Sequence, residues 1–315
     1  MLQESRLMKE GAILGILYLI LLFVSLFIPI LNIVMIFLLP IPFIIFTTRY
    51  GWKASSVLFL VVFIVGAVFA MFITVPIMVL TGITGIMIGS AIHNNSSPYE
   101  TWARASLGFL LGIMFIFVYV QGVLNINIMD EFYLAIDDSI EMTQDTLGQF
   151  GLESGSDQIE LIRQQMEYML NLLPVMFVVI SIFCGFVIQW IGYKALNRFD
   201  HRSLRFPPFR NFQLPKVLIW IYFIAILFSW FDLDPNSGIY LTVINITNLA
   251  GLIISLQGFS FILYYTYKKG LSKVIPIISF IIIVLFPPIG LYMIRILGII
   301  DLGFSLRDRI ADGNK

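Results

Sequence analysis

A chain of 315 residues that is 59% hydrophobic and only 12% charged lies far outside the soluble range, where about 25% of residues are charged. Its 19 basic and 19 acidic residues balance to zero, so no basic face is available to neutralise nucleic-acid phosphates, and nucleic acid is excluded as a partner. A single cysteine, Cys184, and two distant histidines, His93 and His201, leave no disulfide framework, no metal site and no cofactor to expect.

Residues 11–48 contain no charged side chain, and neither do residues 54–92. Each stretch is nearly twice the ~20 residues that one helix needs to cross about 30 Å of hydrocarbon. Each therefore holds two spans, or one span and a re-entrant piece. Pro29 and Asn32 divide the first stretch, and residues 74–76 divide the second. Further apolar segments run over 105–124, 173–193, 217–231, 239–264 and 274–300, making about nine in all. No small-residue cleavage site follows the first, which is read as a retained span.

Lysine and arginine in short loops set the orientation. Arg6, Lys9, Arg49, Lys53 and Arg104 flank alternate connections of the N-terminal half. Lys194 to Lys216 and Lys268 to Lys273 continue that alternation, whereas 28–30, 74–76, 125–172 and 232–238 are poor in basic residues. The N-terminus is thus expected in the cytoplasm. The final segment is interrupted by Phe286, Pro287, Pro288 and Gly290, where proline removes backbone donors. A kinked or broken helix is the expected form, and the side of the tail stays open: one kinked span would put Arg307, Arg309 and Lys315 outside, and a re-entrant hairpin would keep them inside.

Residues 125–172 form the one long loop, with ten acidic side chains facing a single Arg163. Ile126, Met129, Phe132, Tyr133, Ile136 and Ile140 recur at helical spacing, as do Ile159, Ile162, Met166, Met169 and Leu170. A turn over 148–155 and a capping box of Asp157 with Glu160 complete a predicted extracytoplasmic helical hairpin. Its apolar stripes either pair with each other, dock a partner, or cover a pocket mouth. Asp137, Asp138 and Glu141 resemble a magnesium-diphosphate pattern, but a solvated acidic face accounts for them more simply. The predicted organisation is 1–124 with five spans, 125–172 as hairpin, and 173–315 with four hydrophobic segments, a basic loop at 194–216 and a short tail.

In that basic loop, Arg202, Arg205, Phe206, Phe209, Arg210 and Phe212 alternate with prolines that forbid a regular helix. The phenylalanines are expected to enter the bilayer interface while the arginines meet anionic headgroups or a cytoplasmic partner. Within the membrane, Thr242, Asn245, Asn248 and Ser255 share one helical face beside Gly251, and Gln257 points elsewhere. Arg295 lies just beyond the proline break. Thr242, Asn245, Asn248, Gln257 and Arg295 are the candidate ligand-binding set, against the alternative of hydrogen bonding between helices. Gly11 and Gly15, then Gly82, Gly85 and Gly89, supply the small-residue spacing of closely packed helices.

Residues 39–51, 81–85, 206–215 and 298–301 resemble the YybS-like family of bacterial membrane proteins, along most of the chain. That resemblance implies a setting in the bacterial cytoplasmic membrane and no established activity. The N-terminal half is in turn similar to the S components of energy-coupling-factor transporters, through its glycine-spaced first helix, proline-broken second helix and six spans from Gly11 to Tyr193. The outer hairpin and the three later segments are not part of that pattern.

The expectation is an all-α polytopic bundle of eight to nine transmembrane segments, surrounded by the lipid bilayer. It is transporter-like and binds a small or lipid-like solute, with a separate membrane or ATPase subunit supplying energy, since no nucleotide-binding loop occurs in the chain. The alternative is a scaffold or assembly factor docking partners through the hairpin and the basic loop. No nucleophile–base set marks an enzyme.

Overall fold

The computed structural model describes residues 2–149, 156–235 and 237–312. The turn expected near 148–155, the Asp157 and Asn32 side chains and the end of the tail therefore fall largely outside the described residues. The chain is helical: α1 (Leu2–Phe27), α2 (Pro29–Leu38), α3 (Pro40–His93), α4 (Pro98–Val123), α5 (Ile128–Gln149), α6 (Ser156–Asn171), α7 (Leu173–Phe199), α8 (Val217–Ser229), α9 (Gly238–Lys268), α10 (Val274–Leu285), α11 (Pro287–Phe304) and α12 (Leu306–Asp312). Among the described residues, seven stretches are long and apolar enough to cross a membrane, and α8 and α10 are shorter apolar helices. The protein is a polytopic membrane helical bundle. It forms two compact units, Met1–Leu170 with Met176–Phe206, and Asn171–Val175 with Pro207–Lys315.

In the first unit, α3 is helical over 54 residues, yet it is not one rod. Thr47 Oγ1 donates to Ser55 Oγ at 2.7 Å, although residues eight apart on a straight helix are separated by about 12 Å. The reversal sits at Gly51, whose φ of +80° is open to glycine at little cost. A second reversal lies between Gly66 and Thr74, because Thr74 Oγ1 reaches the Gly66 carbonyl and Met78 lies against Gly66. The 33–68 stretch is thus two spans meeting at Gly51. With this division, and with α10 and α11 counted as one broken segment, nine apolar segments are present among the described residues, as the hydropathy pattern predicts.

Glycine allows these helices to approach closely. A Cβ on Gly85 would lie 2.6 Å from the Pro40 carbonyl oxygen, and one on Gly89 would lie 2.8 Å from that of Ile44. The glycine stripe is consumed within the chain. Gly185 of α7 packs on the backbone of Ala105 and Ser106, and Gly192 packs on Ile44. The sixth span therefore joins the N-terminal unit, not the C-terminal group predicted to begin at residue 173.

Several polar side chains lie inside this unit. Thr47, Thr81, Thr84 and Gln189 are buried. Tyr18 and Thr81 share a 2.8 Å hydrogen bond, and Gln189 donates to the Pro98 carbonyl and the Tyr193 hydroxyl. Meanwhile Val57, Leu60, Val61, Ile64 and Val68 expose an unbroken apolar stripe. Water would oppose that stripe, whereas hydrocarbon accepts it, and the helices pair through hydrogen bonds and small residues. At one end, Arg49 joins Glu10 and Asp200, which brings the start of α1, the Gly51 turn and the end of α7 together.

The acidic segment forms α5 and α6. Asp137 and Arg163 make a 2.7 Å ion pair, and Ile140, Ile159, Ile162 and Met166 border a gap of about 100 Å³ between the helices. The stripes face each other, while Met142 and Met169 remain exposed.

In the second unit, the last apolar segment breaks at Phe286 and turns back. A Cβ on Gly290 would lie 2.7 Å from Cα of Ile283, so α10 and α11 form a close hairpin. The 12 residues of α10 rise about 18 Å, too short to cross the hydrocarbon. The end of α11 then returns to the level where α9 ends and α8 begins, with Lys216 Nζ donating to Ser305 Oγ at 2.7 Å. The expected through-going kinked helix is corrected to a re-entrant hairpin, which keeps Arg307 and Arg309 on the side of the basic loop. Pro287 and Pro288 cannot donate backward, and Gly290 N–H closes the turn on the Phe286 carbonyl at 2.9 Å. Helices α9 and α11 cross at Gly258 and Gly298, where either Cβ would collide with a backbone carbonyl of the other helix.

Candidate functional site

Two polar centres lie within the second unit. The first is a closed knot. Gln257 is wholly buried; its Nε2 donates to Asp301 Oδ2 at 2.5 Å, and its Oε1 accepts from the Leu214 N–H at 2.9 Å. Arg307 Nε donates to the same Asp301 oxygen at 2.9 Å. Its remaining nitrogens reach the carbonyls of Arg210 and Phe212 and the hydroxyl of Ser260. Asp301 and Arg307 are 3% and 7% exposed, so both charges are compensated by each other and by backbone, not by water. The left-handed Ser305, with φ 49°, folds α12 back and delivers the guanidinium.

The second centre is open in chemical terms. Arg295 stands eight residues after the start of α11 and nine before its end, about 12 Å and about 14 Å from them. Its Nη1 donates to the Tyr222 hydroxyl at 3.2 Å, and its guanidinium lies across Gly251, where a Cβ would come within 2.7 Å of Cζ. Its Nε is buried with no hydrogen-bond partner, and no carboxylate among the described residues pairs with it. Thr247 Oγ1, one helical turn from Gly251 on the same face of α9, is likewise buried and unpartnered. A cation halfway along an apolar helix is costly unless an anion meets it.

The predicted ligand set falls into separate environments. Gln257 belongs to the closed knot. Asn245 braces the chain at the start of α7, donating to the Asn171 carbonyl at 2.7 Å and accepting from the Val175 N–H at 3.3 Å. Thr242 and Asn248 donate to carbonyls four residues earlier on their own helix. Thr242 also lines an apolar groove of about 780 Å³ between α8 and α9. Arg295 alone presents unsatisfied charge.

The predicted interface residues also divide. Phe206 packs on Phe186 and Tyr193 in the first unit. In the second, Phe212 is buried, and Phe209 stacks on it. These rings turn inward because Ser260 and Arg307 capture the surrounding carbonyls. The arginines keep outward positions: Arg205 is exposed, Arg202 is half-buried, and Arg210 stacks over Tyr267 with Cζ 3.7 Å from the ring centre. Among the described residues no group of three metal-ligating side chains occurs.

Residues 16–302 match the family described as predicted membrane protein, DUF2232. The chain belongs to that family. It is also 28% identical over 314 residues to the uncharacterized protein YybS of Bacillus subtilis strain 168, covering 98% of this chain and all of that protein. No solved structure matches.

For this DUF2232 member, sequence reasoning missed Asp301, Arg307, Ser260 and Tyr222. Asp301 stood in the 298–301 motif without a partner, and Arg307 was read as tail. The hairpin return that joins them leaves no periodic signal, because both reside in segments whose hydropathy fits several paths.

Proposed function

We propose that this protein is a transporter-type membrane protein whose C-terminal helices bind a small anionic or lipid-like solute, with Arg295 as the charge that meets it. The observation that carries the reading is the unsatisfied Arg295 guanidinium at mid-helix, beside the unpartnered hydroxyl of Thr247 and the cleared space at Gly251. A segment broken inside the membrane into a re-entrant hairpin, as α10 and α11 are, is an architecture that transporters use to hold solutes near the bilayer midplane. Support for a role like that of an S component comes from the six spans of the N-terminal unit. Energy would then come from a separate membrane or ATPase subunit, and no catalytic step is proposed. The membrane would be the bacterial cytoplasmic one, with the basic connections inside.

A second reading, a scaffold or assembly factor, draws on the exposed apolar residues of the outer hairpin, Met142 and Met169 among them. Co-purification in mild detergent with mass spectrometry of bound molecules separates the two. The transport reading expects one stoichiometric anionic solute on the native protein, retained by Arg295→Lys and lost from Arg295→Leu, while Arg295→Leu keeps or gains thermal stability. An empty native protein, or a solute held equally by Arg295→Leu, refutes it. Envelope proteins recovered on an empty chain would support the scaffold.

A further inference from the structure

A groove of about 710 Å³ runs along α9 and α10 beneath residues 208–210, all within the second unit. Its two ends differ chemically. At the shallow end stand Arg210, Thr266, Tyr267 and Lys273; the deeper walls are Phe259, Leu263, Pro276, Ile277 and Phe280. Phe280 lies seven residues beyond Lys273, so the apolar part extends about 10 Å below the basic rim. Ile277 and Phe280 are more than half exposed, so the groove opens sideways where a bilayer would lie.

The rim is prepared for an anion. The Arg210 guanidinium is held over the Tyr267 ring, and neither it nor Lys273 has a carboxylate partner among the described residues. The Arg210 carbonyl is tied to Arg307, which fixes the strap bearing the guanidinium. Thr266, only 5% exposed, is one of the residues that line the groove, and its buried hydroxyl has no hydrogen-bond partner. A buried hydroxyl without a partner is destabilising, and a bound acceptor would remove that cost.

We propose that this groove is a binding site for one anionic glycerophospholipid, its phosphate between Arg210 and Lys273 within reach of Thr266, and an acyl chain along Leu263, Ile277 and Phe280. Charge complementarity selects the lipid: two unpaired cations over an apolar slot match an anionic headgroup with a hydrocarbon tail, whereas a zwitterionic headgroup carries its own compensating cation. The site is distinct from Arg295 and stands whether or not that residue binds a solute.

The test uses the full chain, delipidated in mild detergent, with phosphatidylglycerol and phosphatidylcholine offered in equal amounts and retention read by native mass spectrometry. The native chain should hold one phosphatidylglycerol with a preference of roughly 30-fold, the value for two basic side chains each favouring an anionic headgroup by about 1 kcal/mol. Arg210→Gln with Lys273→Gln should bring the preference near unity, and Thr266→Val should weaken it. Lys268→Gln with Lys269→Gln, outside the groove, should leave it unchanged. Leu263→Trp, which fills the slot and keeps both cations, should abolish retention and guards against misfolding of the charge variant. Equal retention of both lipids, a preference that survives Arg210→Gln with Lys273→Gln, equal loss from the Lys268 and Lys269 variant, or full retention by Leu263→Trp overturns the proposal.

Discussion

Removing the Asp301 carboxylate strands a buried cation. In Asp301→Leu, Arg307 keeps its bonds to two carbonyls and Ser260 but loses its only counter-charge among the described residues, and Gln257 Nε2 loses its acceptor. Breaking a buried ion pair from one side costs about 3–5 kcal/mol, because the remaining charge is desolvated and uncompensated. Arg307→Met leaves the converse defect: a buried carboxylate, with the Arg210 carbonyl short of a donor while that of Phe212 keeps Ser260. Its expected cost is of similar size. The double variant removes both charges at once and leaves only neutral groups unsatisfied, at about 1–3 kcal/mol each. Its loss should therefore fall well short of the sum of the singles, with a coupling of about 2–3 kcal/mol. Equilibrium unfolding in mixed detergent, followed by tryptophan emission with Trp220 and Trp230 in the same unit, measures all four corners of the cycle. Additivity within about 0.5 kcal/mol would refute the pair as the organising contact of the second unit.

Three further outcomes follow from the fold. A reporter fused after residue 312 should show cytoplasmic placement, on the side of the 194–216 loop; periplasmic alkaline phosphatase activity would contradict the re-entrant hairpin. Gly51→Ala should lower stability by about 1–2 kcal/mol through its left-handed backbone, since the nearest atom to the new Cβ is a His93 ring nitrogen at an ordinary 3.5 Å. An unchanged melting temperature would mean that the turn relaxes without strain. Asp137→Asn should change stability by less than about 1 kcal/mol, because its pair with Arg163 is exposed, at 52% and 40% for the two side chains; a larger loss in thermal melts would give the hairpin pair a structural weight that its exposure denies.

Segment count was legible because hydrocarbon thickness imposes a length, and charged residues at 49–53 and 194–216 punctuate the apolar runs. The apolar stripes of the hairpin were legible from helical period, which places Ile140 and Ile162 on usable faces; that they face each other was one of three alternatives until the structure placed both beside one gap. The glycine spacing at 82, 85 and 89 announced a close contact without naming its partner, which is the backbone from Pro40 to Thr47.

The candidate ligand face shows where this kind of reading stops. Thr242, Asn245 and Asn248 lie on one helix face by period, yet a polar side chain in hydrocarbon takes the nearest carbonyl, and that carbonyl belongs to its own helix or to residue 171. Gln257 and Asp301 meet only because α11 reverses and crosses α9 at two glycines. What the sequence by itself determined was the membrane setting, the nine apolar segments and the alternation of charge, since each follows from local composition set against bilayer thickness. Only the tertiary structure decided that the last segment returns, that Asp301 and Arg307 satisfy one another, and that Arg295 is left unpaired. Those outcomes depend on which distant backbones approach closely enough to share a hydrogen bond, and hydropathy carries no record of that choice.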